Sequence, residues 1–381
     1  MRIAISKAAK PPESCCCVLG DLGPPADRAA LPFAELKIDA LLVSAPPNVR
    51  YLSGFTGDNG LLLVTPGDTP GSQTLFTDPR FTIQAAQECV CEVKTVTKTP
   101  LDQAAVQTIR KRRWKRIGFE GSRMLFEMYR RLDESLPKGV KLTPVGGVVE
   151  RLRMIKSDAE IARIRRSVAT NSEAFEKTTR SIRLGARESE IAAELEYRMR
   201  RLGAEKAAFE TIVATGSRSA LPHAQPTSRK LGNDELILID MGACQDGYMS
   251  DMTRVLFLGR PSRRVRSMYN AVLKAQLAAI DAVRPGISAS QVDGAARRVL
   301  ETEGLGKEFV HSTGHGLGLE IHEGPRLGRR DKTRLVAGMA ITIEPGAYIR
   351  DFGGIRIEDT VLVTKNGCEV LTPTSKELRL L

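Results

Sequence analysis

The chain has 381 residues, a net charge of +12, 42% hydrophobic residues and only 5% aromatic ones. That length accommodates two domains with a sizeable core, and no stretch approaches the roughly 20 apolar residues that cross a bilayer. The basic excess is dispersed except for residues 110–116, RKRRWKR. With no aromatic platform or nucleic-acid motif beside it, this run reads as a solvated helix end rather than a nucleic-acid contact, and no nucleic-acid partner is expected.

The seven cysteines are Cys15, Cys16, Cys17, Cys89, Cys91, Cys244 and Cys368. Their number is odd and none forms a C-x-x-C pair, which points to a reducing, cytoplasmic setting. Residues 1–33 read as an unordered extension, since SCCCVL is too short for the apolar part of a secretory signal.

From residue 34 the chain alternates strand-like and helix-like pieces, an α/β domain reaching about residue 150. IDALLVS, GLLLVTP and QTLFTD are strands; a helix starts near Pro79 and another covers residues 102–113; strands return at 116–120 and 141–145. VVERLRMIKSD links this domain to a second one, residues 157–381. Ser157 and Glu160 form a capping box that opens a long helix with Ile161, Ile164 and Val168 on one stripe, ended by Gly185. Further helices are expected over about 189–202, 262–283 and 290–303, with strands between and after them.

The second domain carries an internal repeat. Gly185 and Gly286, Ser189 and Ser290, Ile191 and Val292, and Gly203 and Gly304 are each 101 residues apart. Further on, LILIDMG matches AITIEPG, which sets Asp240 beside Glu344. The pattern is helix, helix, hairpin, twice, with two acid-bearing hairpins facing across a pseudo-twofold axis.

Each hairpin holds two acids in apolar strands: Asp240 and Asp251 in LILIDMGACQDGYMSDMTRVLFL, Glu344 and Glu358 in AITIEPG and GGIRIEDTVLV. A buried carboxylate is costly unless paired or bound to a metal. If Gln245–Asp246 is the first tip, Asp240 faces Asp251 directly, about 4.5–5.5 Å between Cβ atoms; if Asp246–Gly247 is the tip, Asp251 lies a diagonal step away, about 7–8 Å. The second loop is too long for its register to be set this way; Arg356 shares a face with Glu358. The four histidines sharpen the picture: His223 lies in LPHAQP, and His311, His315 and His322 lie in FVHSTGHGLGLEIHEGP. Imidazole among carboxylates selects Mn, Fe, Co or Zn over Ca.

DMGACQDGYMSDMTR, HSTGHGLGLEIHE, TIEPG and GIRIEDT, in this order across residues 157–364, resemble the pita-bread metallopeptidases: Xaa-Pro aminopeptidases, prolidases, methionine aminopeptidases and the metal-free creatinases. NVRYLSGFTGDNG and LFTDPRF resemble the creatinase-type N-terminal domain of the first two. The resemblance implies a small α/β domain followed by a pita-bread domain. It implies two divalent ions, manganese first with cobalt, zinc or iron also admissible. Asp240, Asp251, His315, Glu344 and Glu358 would be the ligands, Asp251 and Glu358 bridging. Glu344 would also move the proton, His223 and His322 would stabilise the oxyanion, and His311 and Arg356 would line the substrate side or brace the acids. The activity implied is a cytoplasmic Xaa-Pro aminopeptidase acting on peptides with proline second, in a homodimer or larger oligomer. The alternatives are a prolidase and, further off, an inactive binding module.

Overall fold

The structure, a computed structural model, describes residues 31–67 and 71–381. Cys15, Cys16 and Cys17 lie outside the described residues. The fold is under way before residue 34, because Leu31 and Phe33 are buried and Phe33–Leu36 forms a short helix. The chain divides into two compact units, one ending at Gly146 and one comprising Gly147–Leu381.

The first unit rests on a six-stranded mixed sheet in the order Glu92–Thr95, Gln73–Thr77, Gly60–Val64, Ala40–Val43, Arg116–Glu120, Lys141–Val145. Its central strands are unbroken apolar runs because both faces are covered: Leu41, Leu42, Leu61, Leu62, Leu63 and Leu75 are all sealed from solvent. Helices Leu101–Arg112 and Phe126–Ser135 cover one face through Ala105, Val106, Ile109 and Leu132. Arg110, Lys111 and Arg112 form the last turn of their helix, where the carbonyl end of the dipole favours them, and Arg116 pairs with Asp39 at 2.6 Å. The basic run is thus consumed by helix termination and an ion pair.

In the second unit the helices begin where the sequence supplies caps. Ser157 Oγ accepts from Glu160 N (3.4 Å) and Glu160 Oε2 accepts from Ser157 N (2.8 Å), starting the helix Asp158–Thr179. That helix ends short of Gly185, where Ser181 N and Oγ both donate to Thr178 O (2.9 and 2.8 Å). Glu188–Arg201, Arg263–Ala282 and Ala289–Thr302 follow the expected positions closely. The helix Val148–Met154, within the expected link, belongs to this unit.

The repeat is visible in the backbone. Gly185 (φ 82°) donates to Leu231 O and Gly286 (φ 84°) to Leu335 O, at 2.9 and 2.8 Å. Leu231 N and Leu335 N return bonds to Ala186 O and Ile287 O, both 2.8 Å. Each half then contributes a sheet centred on a hairpin, Glu235–Met241 with Met252–Leu258 in one and Ala340–Ile343 with Asp359–Val363 in the other. Among the described residues no helix is long and apolar enough to cross a membrane.

Arg254, 2% exposed, fastens the two hairpins together. It donates to Glu358 O (2.5 Å), Thr374 O (2.7 Å) and Ser375 O (3.0 Å) and pairs with Asp359 at 2.8 Å. Removing one side of a buried pair typically costs about 3–5 kcal/mol. Lys376 and Gln276 still hold the other oxygen of Asp359, which favours the low end. Arg254→Met is therefore expected to lower the stability of the second unit by about 3 kcal/mol, read from the urea midpoint at unchanged slope. A loss below about 1 kcal/mol, the scale of an exposed pair, would show that the fastening is dispensable.

Candidate metal centre

The first hairpin turns at Asp246–Gly247, both with positive φ (51° and 76°), while Cys244 pairs with Met249 and Gln245 with Tyr248. This is the type I′ geometry that an Asp-Gly tip supplies. The same register continues to Met241 and Met252, so Asp240 lies opposite Thr253 and Asp251 takes the diagonal position, the second of the two arrangements expected. In the second hairpin, Ile343 pairs with Asp359 and Gly346 with Arg356 in one register. Glu344 consequently stands opposite Glu358, at an interruption of the ladder.

Asp240, Asp251, His315, Glu344 and Glu358 all border a cavity of about 660 Å³, together with His223, His311, His322 and Arg356. Asp251, His315 and Glu358 come closest, one ligand atom of each lying within 4.8 Å of the others. His315 Nε2 is 3.6 Å from Asp251 Oδ2 and 3.4 Å from Glu344 Oε1. Its Nδ1 is 3.0 Å from Gly316 O, which can only accept, so the proton belongs on Nδ1 and the Nε2 lone pair faces the acids.

Asp240 Oδ1, Asp251 Oδ1 and Glu358 Oε1 are buried with no hydrogen-bond partner. An unsatisfied buried polar group costs about 1–3 kcal/mol, and more when charged. Burial and then the neighbouring carboxylates push Asp251 and Glu358 well above the usual carboxylate range; burial, with Asp240 adding to it, lifts Glu344 to about 7. Burial also holds His315 neutral, lowering its pKa. Orphaned oxygens and an imidazole lone pair aimed into one space fit divalent cations of the transition series.

The strand Gly314–Gly316 carries His315 between two neighbours, and the flanking glycines let it approach them closely. A Cβ at Gly314 would lie 1.9 Å from Thr342 O, and one at Gly316 would lie 2.0 Å from Gly324 O.

A hydrogen-bonded shell surrounds the acids. Arg356 Nη2 donates to Asp240 Oδ2 (2.6 Å) and Nε to Thr253 Oγ1 (3.0 Å), and Thr253 Oγ1 donates to Glu358 Oε2 (2.7 Å). Arg356 Nη1 also donates to Tyr348 OH (2.6 Å), which lies 2.9 Å from His311 Nε2. His311 Nδ1 is 2.8 Å from Ser312 O, which can only accept. Burial and the Arg356 charge lower the His311 pKa to about 4, so it is a neutral ring engaged on both nitrogens. His322 packs edge-on to His315, ring centroids 4.5 Å apart. Behind it Glu323 is buried between Arg153 and Lys156.

Tyr348, Thr253, Arg326 and Glu323 escape the sequence patterns. Thr253 carries a signal in retrospect, since it lies two residues beyond Asp251 on the same strand face. Tyr348 and Arg326 carry none, because their strands, Gly346–Ile349 and Glu323–Leu327, are short and rich in glycine or proline and show no alternation.

Two acid-bearing hairpins gathered around one cavity with a neutral imidazole define a metal-dependent hydrolase. A model of metallopeptidase family M24 matches residues 162–365, and one of the creatinase/prolidase N-terminal domain matches residues 27–155. The chain belongs to metallopeptidase family M24 and has the pita-bread fold. It is 39% identical over 345 residues to an Xaa-Pro dipeptidase of Pyrococcus furiosus, covering 90% of this chain and 96% of the relative. An Xaa-Pro dipeptidase structure from Bacillus anthracis superposes with a TM-score of 0.89 at 36% identity, over 94% of this chain and 99% of that one. An X-Pro aminopeptidase structure from Thermotoga maritima gives 0.86 at 36% identity, over 93% and 100%.

The raised carboxyl groups make metal-free stability depend on pH. An acid whose folded pKa exceeds its unfolded value favours the folded state below the unfolded pKa, and that contribution is lost as pH rises through the folded one. For Glu344 the window runs from 4.5 to about 7, on the order of 3 kcal/mol at 1.36 kcal/mol per unit. In chelator, the unaltered protein should lose more stability across this window than Glu344→Gln, measured by denaturant unfolding. Parallel profiles would place the proton elsewhere.

Proposed function

We propose that the chain is an Xaa-Pro dipeptidase (prolidase), the activity that the sequence alone ranks behind an Xaa-Pro aminopeptidase. The observation that carries this choice is Arg326. It borders the cavity and is exposed, and among the described residues its guanidinium makes one hydrogen bond, from Nε to Ser312 Oγ at 3.4 Å. An unpaired guanidinium beside the site matches a ligand that ends in a carboxylate. A dipeptide presents that group on its proline, whereas a longer peptide presents a neutral amide there. The names of the Pyrococcus and Bacillus relatives favour the same choice, and that of the Thermotoga protein favours the other.

In this scheme Asp240, Asp251, His315, Glu344 and Glu358 would hold two divalent ions, with manganese as the working metal. The bound ions supply a water acidified toward neutrality and a polarised scissile carbonyl. Glu344 takes the proton of the attacking water and delivers it to the proline nitrogen, which lacks a hydrogen of its own in the substrate. His223 and His322 donate to the oxyanion, a contribution typically worth about 10²–10³ in rate. Arg356 orients Asp240 through its bond to Oδ2, and His311 sets Tyr348.

With Mn²⁺ or Co²⁺ added, an Xaa-Pro dipeptide should be hydrolysed at least ~100-fold faster than the corresponding Xaa-Pro-Xaa tripeptide. The reverse order would return the assignment to an aminopeptidase, and no turnover of either under any divalent metal would end it. His315→Ala should abolish turnover and reduce bound metal while leaving circular dichroism unchanged. Arg326→Met should raise KM for the dipeptide roughly 10–100-fold with kcat nearly constant, and should leave hydrolysis of the dipeptide amide unaffected.

A further inference from the structure

His223 is held in an unusual way. Its side chain is exposed to the cavity and makes no hydrogen bond among the described residues. Where the ring stands is therefore decided by its backbone, the segment between Thr215 and Thr227, which opens with the short 3-10 helix Gly216–Ala220 and is also held beside the ring where Arg356 Nη1 donates to Pro222 O (3.3 Å). Both ends of that segment meet on one carboxylate. Glu188, fully buried at the start of the helix Glu188–Arg201, accepts from Thr215 N and Oγ1 through Oε1 (both 2.9 Å). Through Oε2 it accepts from Thr227 N (3.0 Å) and Oγ1 (2.8 Å). Arg218, inside the segment, adds a 3.2 Å contact from Nε to the same carboxylate and closes the loop from within by donating from Nη2 to Gln225 O (2.7 Å).

Such a carboxylate is more than a filler of the core. Its oxygens are saturated with donors, and the helix amino terminus favours its charge. Burial works against ionisation, yet the bonds from Thr227 and Thr215 bring its pKa below the usual value. An ionised group with several short, charge-assisted bonds fixes geometry more tightly than apolar packing does.

We propose that Glu188 is a positioning residue for His223: its carboxylate ties both ends of the 215–227 segment to one point of the helix and thereby sets where that imidazole stands in the cavity. The proposal rests on the hydrolase assignment above, in which His223 serves the transition state. The other half of the repeat solves the same problem with a different residue. Asp293, 1% exposed, accepts from Thr313 N (3.1 Å) and Oγ1 (2.9 Å), two residues before His315. Asp293 does not occupy the repeat-equivalent position of Glu188, so the two tethers are parallel solutions rather than copies.

Glu188→Gln keeps the volume and removes the charge. It should lower kcat on an Xaa-Pro dipeptide about ten-fold or more while KM stays within about two-fold and bound metal is unchanged. In a His223→Ala background the same change should cost less than about two-fold, because the group it positions is gone. In the metal-free chain, amide exchange across residues 216–226 should rise at least ~10-fold. Glu188→Asp should restore part of the rate, and Thr227→Val should shift rate and exchange the same way by less. The valine variant decides the matter if the glutamine variant does not fold. Unchanged kcat, unchanged exchange, or a cost that multiplies fully on top of His223→Ala would overturn the proposal. If the unaltered enzyme hydrolyses no Xaa-Pro peptide, the hydrolase assignment fails, and exchange alone still judges the tether.

Discussion

Four carboxylates share one cavity in the middle of apolar strands, and the architecture of the second unit follows from managing their repulsion. Asp251 and Glu358 are nearly inaccessible to solvent, and Asp240 and Glu344 lie beside them. Among the described residues a single buried guanidinium, Arg356, reaches into the cluster and pairs with Asp240. Arg254, equally buried, spends its charge on Asp359 behind the site. The acids are thus under-neutralised by the protein itself. They either take up protons, as the raised pKa values of Asp251, Glu344 and Glu358 indicate, or yield to cations that the same oxygens bind. Because a solitary buried charge is so unfavourable, this imbalance is itself the strongest physical statement about what the site holds.

The duplicated framework supplies each pair of acids from its own hairpin. In both halves a glycine turn ties the loop ahead of the hairpin to the start of the second helix by the same two backbone bonds. The site polar groups then come from unlike residues in the two halves, aspartates in one and glutamates in the other. Backbone geometry is repeated while the chemistry has diverged, and the imidazoles enter on segments outside the hairpins.

Much of this was legible in the residues. The capping box at Ser157, the positions of the helices Glu188–Arg201, Arg263–Ala282 and Ala289–Thr302, and the four acids in apolar strands derive from local rules or from charge among apolar neighbours, whereas the choice of His315 among the four histidines rests on the family resemblance. The first hairpin's register stayed open between two alternatives, because turn type decides it and both tips were chemically acceptable; the structure takes the diagonal one. The second could not be assigned, since the loop hides a further pair of strands, Gly346–Ile349 and Gly353–Arg356. In the first unit the helices Pro46–Ser53 and Phe126–Ser135 and the edge strand Glu92–Thr95 left no pattern. One begins with two prolines, another buries a single residue completely, and the strand is largely exposed. Tyr348 and Glu188 act through hydrogen bonds across long sequence separations, which no periodicity reports. The choice between dipeptide and longer substrates turned on Arg326, a surface arginine until the cavity beside it is seen.

The strand that bears His315 has a bearing on how this catalyst could be altered. Backbone carbonyls of its two neighbours occupy the space where side chains at 314 and 316 would grow. Substitution there cannot be absorbed by swinging a flexible group aside; it must pry apart the main chain on one flank or the other. Libraries aimed at a new specificity can therefore vary the cavity rim freely, but these two codons should be held constant, since any larger residue would move the imidazole along with the sheet.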